Sequence, residues 1–525
     1  MKRSFLNLKR KINLYFWVGF VFTFLYIVRS FPSLSYDTEL WAELATNFYH
    51  NARYSSFYEN IWATDAGYLP WLQRFISVII IKVFKMYDYF PYICQFIGIS
   101  LISFFCSLIN LFQFRKIIKT DFTRFVISIV LGLGLFSQYD EFTFINFSYY
   151  GIFFIVLSFF FNKEKLSTLQ FLFFLFFSVL TINAKGYFIV TLPIFILHLT
   201  YYIWRKQRRE IIYNLIMIFA ISIQFITMIN YRRYYQPDSD LKALNLFHFP
   251  MSLLNYLSST VLLVFDISSQ YAIVLVFFIL VVLIFTYYHI KIRNYNVLRF
   301  VFIATAVAIA SLTLNLFALS NFQWSESFSL PVIKLHRSVF ISNNLIWFSL
   351  AVLFFSIPLK LKSKMLRYGF ILFSILLIQY YMTRVKVLRL DPPKKFSYSQ
   401  WRDYKVVLTF DDFCLPVNPY NWQYQKDCKE LSRDSLQNSN IRAIIWEKNV
   451  TEILNRNLKI KTIVALDKMD KPIGTAHLLN TINDPIFQYY LFQERVSPHK
   501  LKYYDEKMEE VDVKDSKMKI YGALK

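Results

Sequence analysis

Glycine and cysteine are scarce in this sequence, with 10 Gly and 4 Cys among 525 residues. Membrane carriers often interrupt their helices with Gly and Pro around a substrate site at the membrane midplane, so the low Gly content disfavours a carrier. Four cysteines define no disulfide framework, and the sequence contains no H-x-x-x-H or C-x-x-C pattern to hold a metal ion. These absences disfavour a carrier and a metal centre built on His or Cys.

Hydrophobic residues, by contrast, make up 56% of the chain and aromatic residues 20%, well above the proportions of soluble proteins. Several long apolar stretches reach or approach the roughly 20 residues that cross a bilayer as a helix. They are centred near Trp17, Ile99, Leu131, Leu157, Phe174, Phe195, Met217, Phe277, Val307, Ala351 and Phe373. The sequence therefore predicts an all-α polytopic membrane bundle of about eleven spans. The first span follows a basic start and precedes no A-x-A-like cleavage site, so we expect it to be retained.

Every second connection between the predicted spans is rich in Lys and Arg. This pattern predicts the topology, because Lys and Arg near the ends of spans favour the cytoplasmic side. The basic connections are "KRSFLNLKRK", "FRKIIKTDFTR", "NKEK", "WRKQRR", "HIKIRN" and "LKLKSKMLR". The connections between them are longer or more mixed in charge, so we place them outside together with residues 31–72. This topology predicts a transmembrane domain over residues 1–385, in which residues 31–90 form a first outer loop with surface helices.

One apolar run, "PWLQRFISVIIIKVFKMYDYFP", does not fit this alternation as a span. Its polar residues fall within one half of a helical wheel and leave the other half apolar. They are Gln73, Arg74, Ser77, Lys82, Lys85 and Asp88. This pattern favours an interfacial helix on the outer surface. The alternative is a short second span, which would reverse the topology beyond it.

Residues 386–525 are charged and mixed in pattern, and we expect an α+β domain outside the membrane. The segments "YKVVLTF", "IRAIIWE" and "KIKTIVALD" are typical of strands, and "NVTEILNRN" of a short helix. Cys94 and Cys106 fall in apolar helix and are expected in the core. Cys414 and Cys428 lie in the predicted outer domain and could pair in an oxidising compartment.

Two acidic clusters are predicted to lie at the outer ends of spans. Asp37 and Glu39 follow the first span, and Asp140 and Glu141 follow a later outward crossing. A carboxylate in such a cavity could act as a general base on an acceptor hydroxyl within hydrogen-bond reach. Asp37 could instead cap the helix that begins with "TELWAEL", because Asp is a favoured N-cap residue.

Several cations also fall on the predicted outer side, against the usual distribution of positive charge. They are Lys185, Arg232, Arg233, His336 and Arg337. Phosphate is a natural partner for such groups, because Lys and Arg donate charge-assisted hydrogen bonds to its oxygens. The alternative is that these side chains extend to lipid headgroups at the interface.

The motifs that carry these residues occur in a characteristic order: "YDTEL", "GYLPWLQRF", "QYDEF", "NAKGYFIVTLP" and "KLHRSVF". Over residues 1–385 this order resembles the GT-C superfamily of polytopic glycosyltransferases, which includes protein O-mannosyltransferases and lipid A aminoarabinose transferases. The resemblance implies transfer of a sugar from a polyprenyl-phosphate donor at the outer face of the cytoplasmic membrane. The low Gly content with abundant Lys, Ile, Asn, Phe and Tyr indicates an AT-rich bacterial gene, so the implied acceptor is a cell-envelope glycan or lipid-linked glycan.

The same resemblance implies roles for the site residues. Asp37 would be the base that activates the acceptor hydroxyl for an inverting attack, and Glu39, Asp140 and Glu141 would orient the substrates. The outer cations would neutralise the departing phosphate. Some relatives use a divalent cation and others do not, so a metal cofactor stays open. The expected partners are the lipid-linked donor, the glycan acceptor and the bilayer, and we expect no nucleic acid.

Three other classes compete with this function. A flippase for a lipid-linked glycan would also need an anion-attracting cavity, but its cations should line a path across the bilayer. An O-antigen-type polymerase should carry decisive Arg residues in large outer loops without an acidic first loop. An anchored sensor whose tail binds a wall polymer would not need so many spans.

Overall fold

The computed structural model of the chain describes residues 2–31, 43–87, 89–133, 142–231, 271–318 and 340–356, and nine shorter stretches that carry the strands of the C-terminal part. Those stretches are residues 415–417, 422–424, 428–431, 441–447, 461–478, 487–496, 499–505, 507–511 and 520–523. The chain divides into two compact units. One comprises Met1–Phe31, Ile61–Phe75 and Phe96–Leu390, and the other comprises Pro32–Asn60, Ile76–Gln95 and Asp391–Lys525.

Helices dominate the described residues up to residue 356. The α-helices are α1 (Lys2–Ser30), α2 (His50–Tyr54), α3 (Phe57–Trp62), α4 (Trp71–Val78), α5 (Phe90–Ser107), α6 (Asp121–Gly132), α7 (Gly151–Ser158), α8 (Thr168–Ile182), α9 (Leu192–Arg205), α10 (Arg208–Asn230), α11 (Tyr271–Lys291), α12 (Tyr295–Ala318) and α13 (Phe340–Phe355). Turns of 3-10 helix cover Leu108–Asn110, Phe112–Lys116, Phe147–Tyr150, Lys163–Lys165 and Gly186–Thr191, and π-helical turns cover Leu44–Tyr49 and Ile79–Val83.

Within the described residues, four helices are long and apolar enough to cross a membrane: Phe90–Asn110, Gly186–Arg205, Arg208–Asn230 and Tyr295–Leu314. By length and composition these helices make the chain a helical membrane protein. The predicted span centres from Trp17 to Ala351 all lie inside α-helices. The last predicted centre, Phe373, lies outside the described residues.

Small residues allow α1 and α6 to pack closely. A Cβ atom added to Gly132 would overlap the side chain of Thr23, and one added to Gly19 would lie 2.7 Å from Oγ of Ser128. Both helices therefore present small residues four positions apart, a spacing that brings helix backbones together in membranes. Because Gly19 faces Ser128 and Thr23 faces Gly132, the two helices run in parallel.

Aromatic rings join α7 and the 3-10 turn before it to α12 and α13 in the core of the first unit. The ring centroids of Tyr150 and Phe340 are 4.9 Å apart, those of Phe153 and Phe348 5.7 Å, and those of Phe300 and Phe348 4.8 Å. Separations of this size are typical of favourable aromatic pairs. The many Phe residues of the sequence thus fill the space between helices as well as covering their outer surfaces.

The predicted surface helix is short, and its polar residues are not where the helical wheel placed them. α4 and the π-helical turn after it cover residues 71–83, about 20 Å of helix against the roughly 30 Å of a bilayer core. Gln73 and Arg74 are fully buried, whereas Lys82 and Lys85 are exposed. The prediction of a water-facing polar half is therefore wrong for Gln73, Arg74 and Ser77, which are all fully buried. Gln73 and Arg74 find polar partners inside the protein, and Asp88 lies outside the described residues.

The C-terminal strands of the second unit form antiparallel sheets. The strands are β1 (Leu415–Val417), β2 (Trp422–Tyr424), β3 (Cys428–Leu431), β4 (Ile441–Glu447), β5 (Thr462–Leu466), β6 (Pro472–Leu478), β7 (Phe487–Val496), β8 (Lys500–Tyr504), β9 (Glu510–Val511) and β10 (Ile520–Ala523). β1 pairs with β2, and the others form one sheet in the order β3-β10-β4-β7-β6-β5-β8-β9. Ile463 lies between Ala476 and Tyr503 in a buried row across β6, β5 and β8.

The strands predicted at "IRAIIWE" and within "KIKTIVALD" are confirmed as β4 and β5. The strand predicted at "YKVVLTF" and the helix predicted at "NVTEILNRN" lie outside the described residues. Cys94 and Cys106 are buried with free thiols, as expected of core residues.

Candidate functional site

Among the predicted site residues, Lys185 belongs to the part of the chain that the structure describes. The other predicted residues lie outside the described ranges, so their mutual arrangement stays a prediction. They are Asp37, Glu39, Asp140, Glu141, Arg232, Arg233, His336 and Arg337.

Lys185 lies between α8 and the 3-10 turn that follows it, in extended backbone with φ −147° and ψ 138°. The side chain lies inside the protein, where the residue is 5% exposed. Its Nζ donates hydrogen bonds to Oη of Tyr68 at 2.9 Å and to Oδ1 of Asn146 at 2.8 Å. It also lies 5.2 Å from the ring centroid of Tyr68 and 4.9 Å from that of Tyr149. The ammonium group is therefore held by two neutral oxygen acceptors and two aromatic rings.

A tight turn brings Tyr68 to this position. Asp65 and Tyr68 exchange both backbone hydrogen bonds, at 2.8 and 3.0 Å. The two residues between them, Ala66 and Gly67, have φ values of 44° and 81°, as in the type I′ turn that Gly favours. Oη of Tyr68 donates to Oδ2 of Asp65 at 3.3 Å while it accepts from Lys185. The turn thus links a buried carboxylate to the buried ammonium through one phenol.

Side-chain amides hold the segment after this turn against other parts of the first unit. The backbone N–H of Leu69 donates to Oε1 of Gln224 at 3.0 Å. Nε2 of Gln73 donates to the carbonyl oxygen of Ile145 at 3.1 Å and to Oγ of Ser148 at 2.9 Å. These contacts join residues 72 to 155 positions apart. They fix the place of Tyr68 relative to α10 and the segment before α7.

Arg74 is a second buried cation in this region, and sequence reasoning assigned it to a solvent-facing helix surface. Its Nη2 lies 3.5 Å from the carbonyl oxygen of Thr64. Burial lowers the pKa of Arg74 to about 10, and the charge of Asp65 opposes that shift. A polar stripe that faces buried polar groups has the same periodicity as one that faces water, so the pattern carried no signal of this burial.

Two acids of the first loop have structural partners. Glu59 forms a capping box with Ser56: the Ser56 N–H donates to Oε2 of Glu59 at 2.8 Å, and the Glu59 N–H donates to Oγ of Ser56 at 3.2 Å. These hydrogen bonds lower the pKa of the exposed Glu59 carboxyl. Glu59 therefore stabilises the start of α3. Asp65 is buried in the turn described above.

The cluster of Asp65, Tyr68, Lys185, Asn146 and Arg74 places two buried cations close to one buried carboxylate. Lysine and arginine groups donate hydrogen bonds to phosphate oxygens, and low surrounding polarity strengthens such contacts. Within the ranges that the structure describes, no group of three or more His, Cys, Asp or Glu residues is arranged to hold a metal ion.

Comparisons with protein families, with curated proteins and with solved structures found no match to this chain. The functional conclusion therefore depends on the residues and geometry of the chain itself.

Proposed function

We propose that the chain is a membrane glycosyltransferase. It moves a sugar from a polyprenyl-phosphate donor to a cell-envelope acceptor at the outer face of the membrane, with inversion. The observation that carries this proposal is the buried ammonium group of Lys185. Tyr68 and Asn146 hold this group just beyond the C-terminal end of α8. A cation fixed in this way is suited to stabilising the negative charge that grows on a departing phosphate.

The proposal includes the finer topology predicted from the sequence. About eleven spans would cross the membrane, and residues 386–525 would lie on its outer side. Asp37 would act as the general base, with Glu39 and the acidic pair at 140–141 orienting the substrates. Arg232, Arg233, His336 and Arg337 would join Lys185 around the donor phosphate.

Donor-phosphate binding is tested with the purified full chain in nanodiscs and polyprenyl phosphate as the probe, because this group is common to donors that carry different sugars. Lys185→Met should weaken binding by tens to thousands of fold, since removing one partner of a buried charged contact costs roughly 2 to 5 kcal/mol. Lys185→Arg keeps the charge and should retain part of the binding. Lys119→Met removes an exposed lysine and serves as the matched control.

Transfer activity is measured on the same proteins with polyprenyl-phosphate hexoses and envelope glycan acceptors. Lys185→Met should lose transfer together with binding. Unchanged binding in a folded Lys185→Met protein would reject Lys185 as the phosphate ligand. Normal binding of polyprenyl phosphate without transfer to any glycan acceptor would instead favour the flippase.

A further inference from the structure

A second polar region lies at the other end of the same helices. The 15 residues of α8 extend about 22 Å and separate Lys185 from the turn that contains Lys163 and Lys165. We call the side chains of Lys116, Lys163, Lys165 and Arg299 the basic end. Lys116, Lys163 and Lys165 come from two connections that the charge pattern places in the cytoplasm.

Lys163 is the one member of the basic end with a carboxylate partner within the described ranges. Its Nζ lies 2.9 Å from Oε2 of Glu210, and each side chain is 2% exposed. Nζ also donates to the carbonyl oxygens of Ser158 at 2.9 Å and Phe161 at 3.3 Å. The positive charge of Lys163 is thus compensated inside the protein.

Lys116 and Arg299 meet at the ring of Phe160. Nζ of Lys116 lies 6.0 Å from the ring centroid and Cζ of Arg299 lies 5.3 Å from it. Arg299 Nη2 donates to Nε2 of His198 at 3.0 Å, so His198 accepts this bond on an unprotonated nitrogen. His198 therefore orients the guanidinium group without neutralising it.

Four cations, Lys116, Lys163, Lys165 and Arg299, are gathered here near one buried carboxylate, Glu210, which is paired with Lys163. In the described part of the chain, neither Lys116, Lys165 nor Arg299 forms an ion pair with a carboxylate. Partial loss of hydration and the nearby charge of Arg299 lower the pKa of Lys116. The charge of Glu210 opposes this shift, and Lys165 adds to the repulsion. Such a group of cations is stabilised when an anion binds among them.

We propose that the basic end binds a phosphate group through Lys116, Arg299 and Lys165. Phosphate suits this arrangement because the three cations come from different segments and can approach different oxygens of one group. The same chemistry is present in the headgroup of an anionic phospholipid and in free phosphate. Basic pockets at the ends of membrane helices bind anionic headgroups in this way. This site is separate from the Lys185 cluster and does not depend on glycosyl transfer.

The test compares the parent protein with Lys116→Gln/Arg299→Gln. Lys119→Gln/Lys291→Gln removes two exposed positive charges outside the basic end and is the charge-matched control. Native mass spectrometry measures the retention of phosphatidylglycerol against phosphatidylcholine, and thermal unfolding measures stabilisation by inorganic phosphate against chloride at equal ionic strength.

The double variant should lose selectivity for phosphatidylglycerol by about 25-fold, roughly fivefold for each cation removed. The control should stay within about twofold of the parent, and high salt should weaken the selectivity of the parent. An effect confined to the lipid assigns the headgroup as the ligand, and stabilisation by inorganic phosphate assigns free phosphate. Equal selectivity in parent and double variant, or an equal loss in the control, overturns the proposal.

A second variant guards against misfolding of the first. Lys116→Gln/Lys165→Gln changes two exposed side chains and leaves the Arg299–His198 contact intact. It should show a loss of similar size with an unchanged unfolding temperature. Parent-like lipid selectivity in this folded variant would also reject the site.

Discussion

The buried pair between Lys163 and Glu210 gives a stability prediction that does not depend on the function of the protein. Lys163→Met removes the ammonium group and leaves the carboxylate with one described hydrogen bond, from the backbone N–H of residue 163 at 3.0 Å. Breaking a buried ion pair by removing one partner typically costs about 3 to 5 kcal/mol. We expect a loss of that size in the free energy of unfolding.

The reverse change should be milder. In Glu210→Gln, the ammonium group keeps the carbonyl oxygens of Ser158 and Phe161 and lies 4.3 Å from the ring centroid of Tyr213. We expect a loss of about 1.5 to 3 kcal/mol, the worth of a charged hydrogen bond. The double variant Lys163→Met/Glu210→Gln removes both charges of this pair. It should therefore recover most of the stability that is lost in Lys163→Met.

These free energies are measured at pH 7 by unfolding the purified protein in mixed micelles with increasing dodecyl sulfate. Lys165→Met, two positions from the pair and exposed, is the control and should resemble the parent. A Lys163→Met protein within 1 kcal/mol of the parent at pH 7, or a double variant as unstable as Lys163→Met, would show that the pair is not buried and coupled as described.

Two further predictions concern helix packing and catalysis. Gly132→Ala should lower the free energy of unfolding by about 1 to 3 kcal/mol, because the added methyl group overlaps Thr23. Adding Thr23→Ala to this variant should restore part of the lost stability. An unchanged unfolding temperature in Gly132→Ala would contradict the close packing of α1 and α6. Asp37→Asn should fold and insert normally, since Asn is as good an N-cap residue as Asp, but should lose about two to four orders of magnitude in the rate of sugar transfer. Full transfer activity in that variant would move the proposed base to Glu39 or Asp140.

Local pattern was enough to place most of the regular structure. Apolar stretches centred from Trp17 to Ala351 lie in helices, and the alternating segments at 441–447 and 462–466 are strands. The hydropathy of a segment and the spacing of its apolar residues depend only on neighbouring positions in the chain. Both can therefore be read directly from the sequence. The same reasoning selected Lys185 as a cation out of place, and the structure shows that its side chain is buried.

The surroundings of that side chain were decided by tertiary structure alone. Lys185 bonds to Tyr68, 117 residues earlier in the chain, and Gln73 bonds to groups more than 70 residues later. Most buried polar groups in proteins have a hydrogen-bond partner, but this tendency does not say which distant segment supplies it. Arg74 shows the same limit, because one polar stripe serves equally for water and for a buried hydrogen-bond network. The sequence by itself determined the helices, the strands and the distribution of charge, and only the packing of distant segments decided which polar side chains meet.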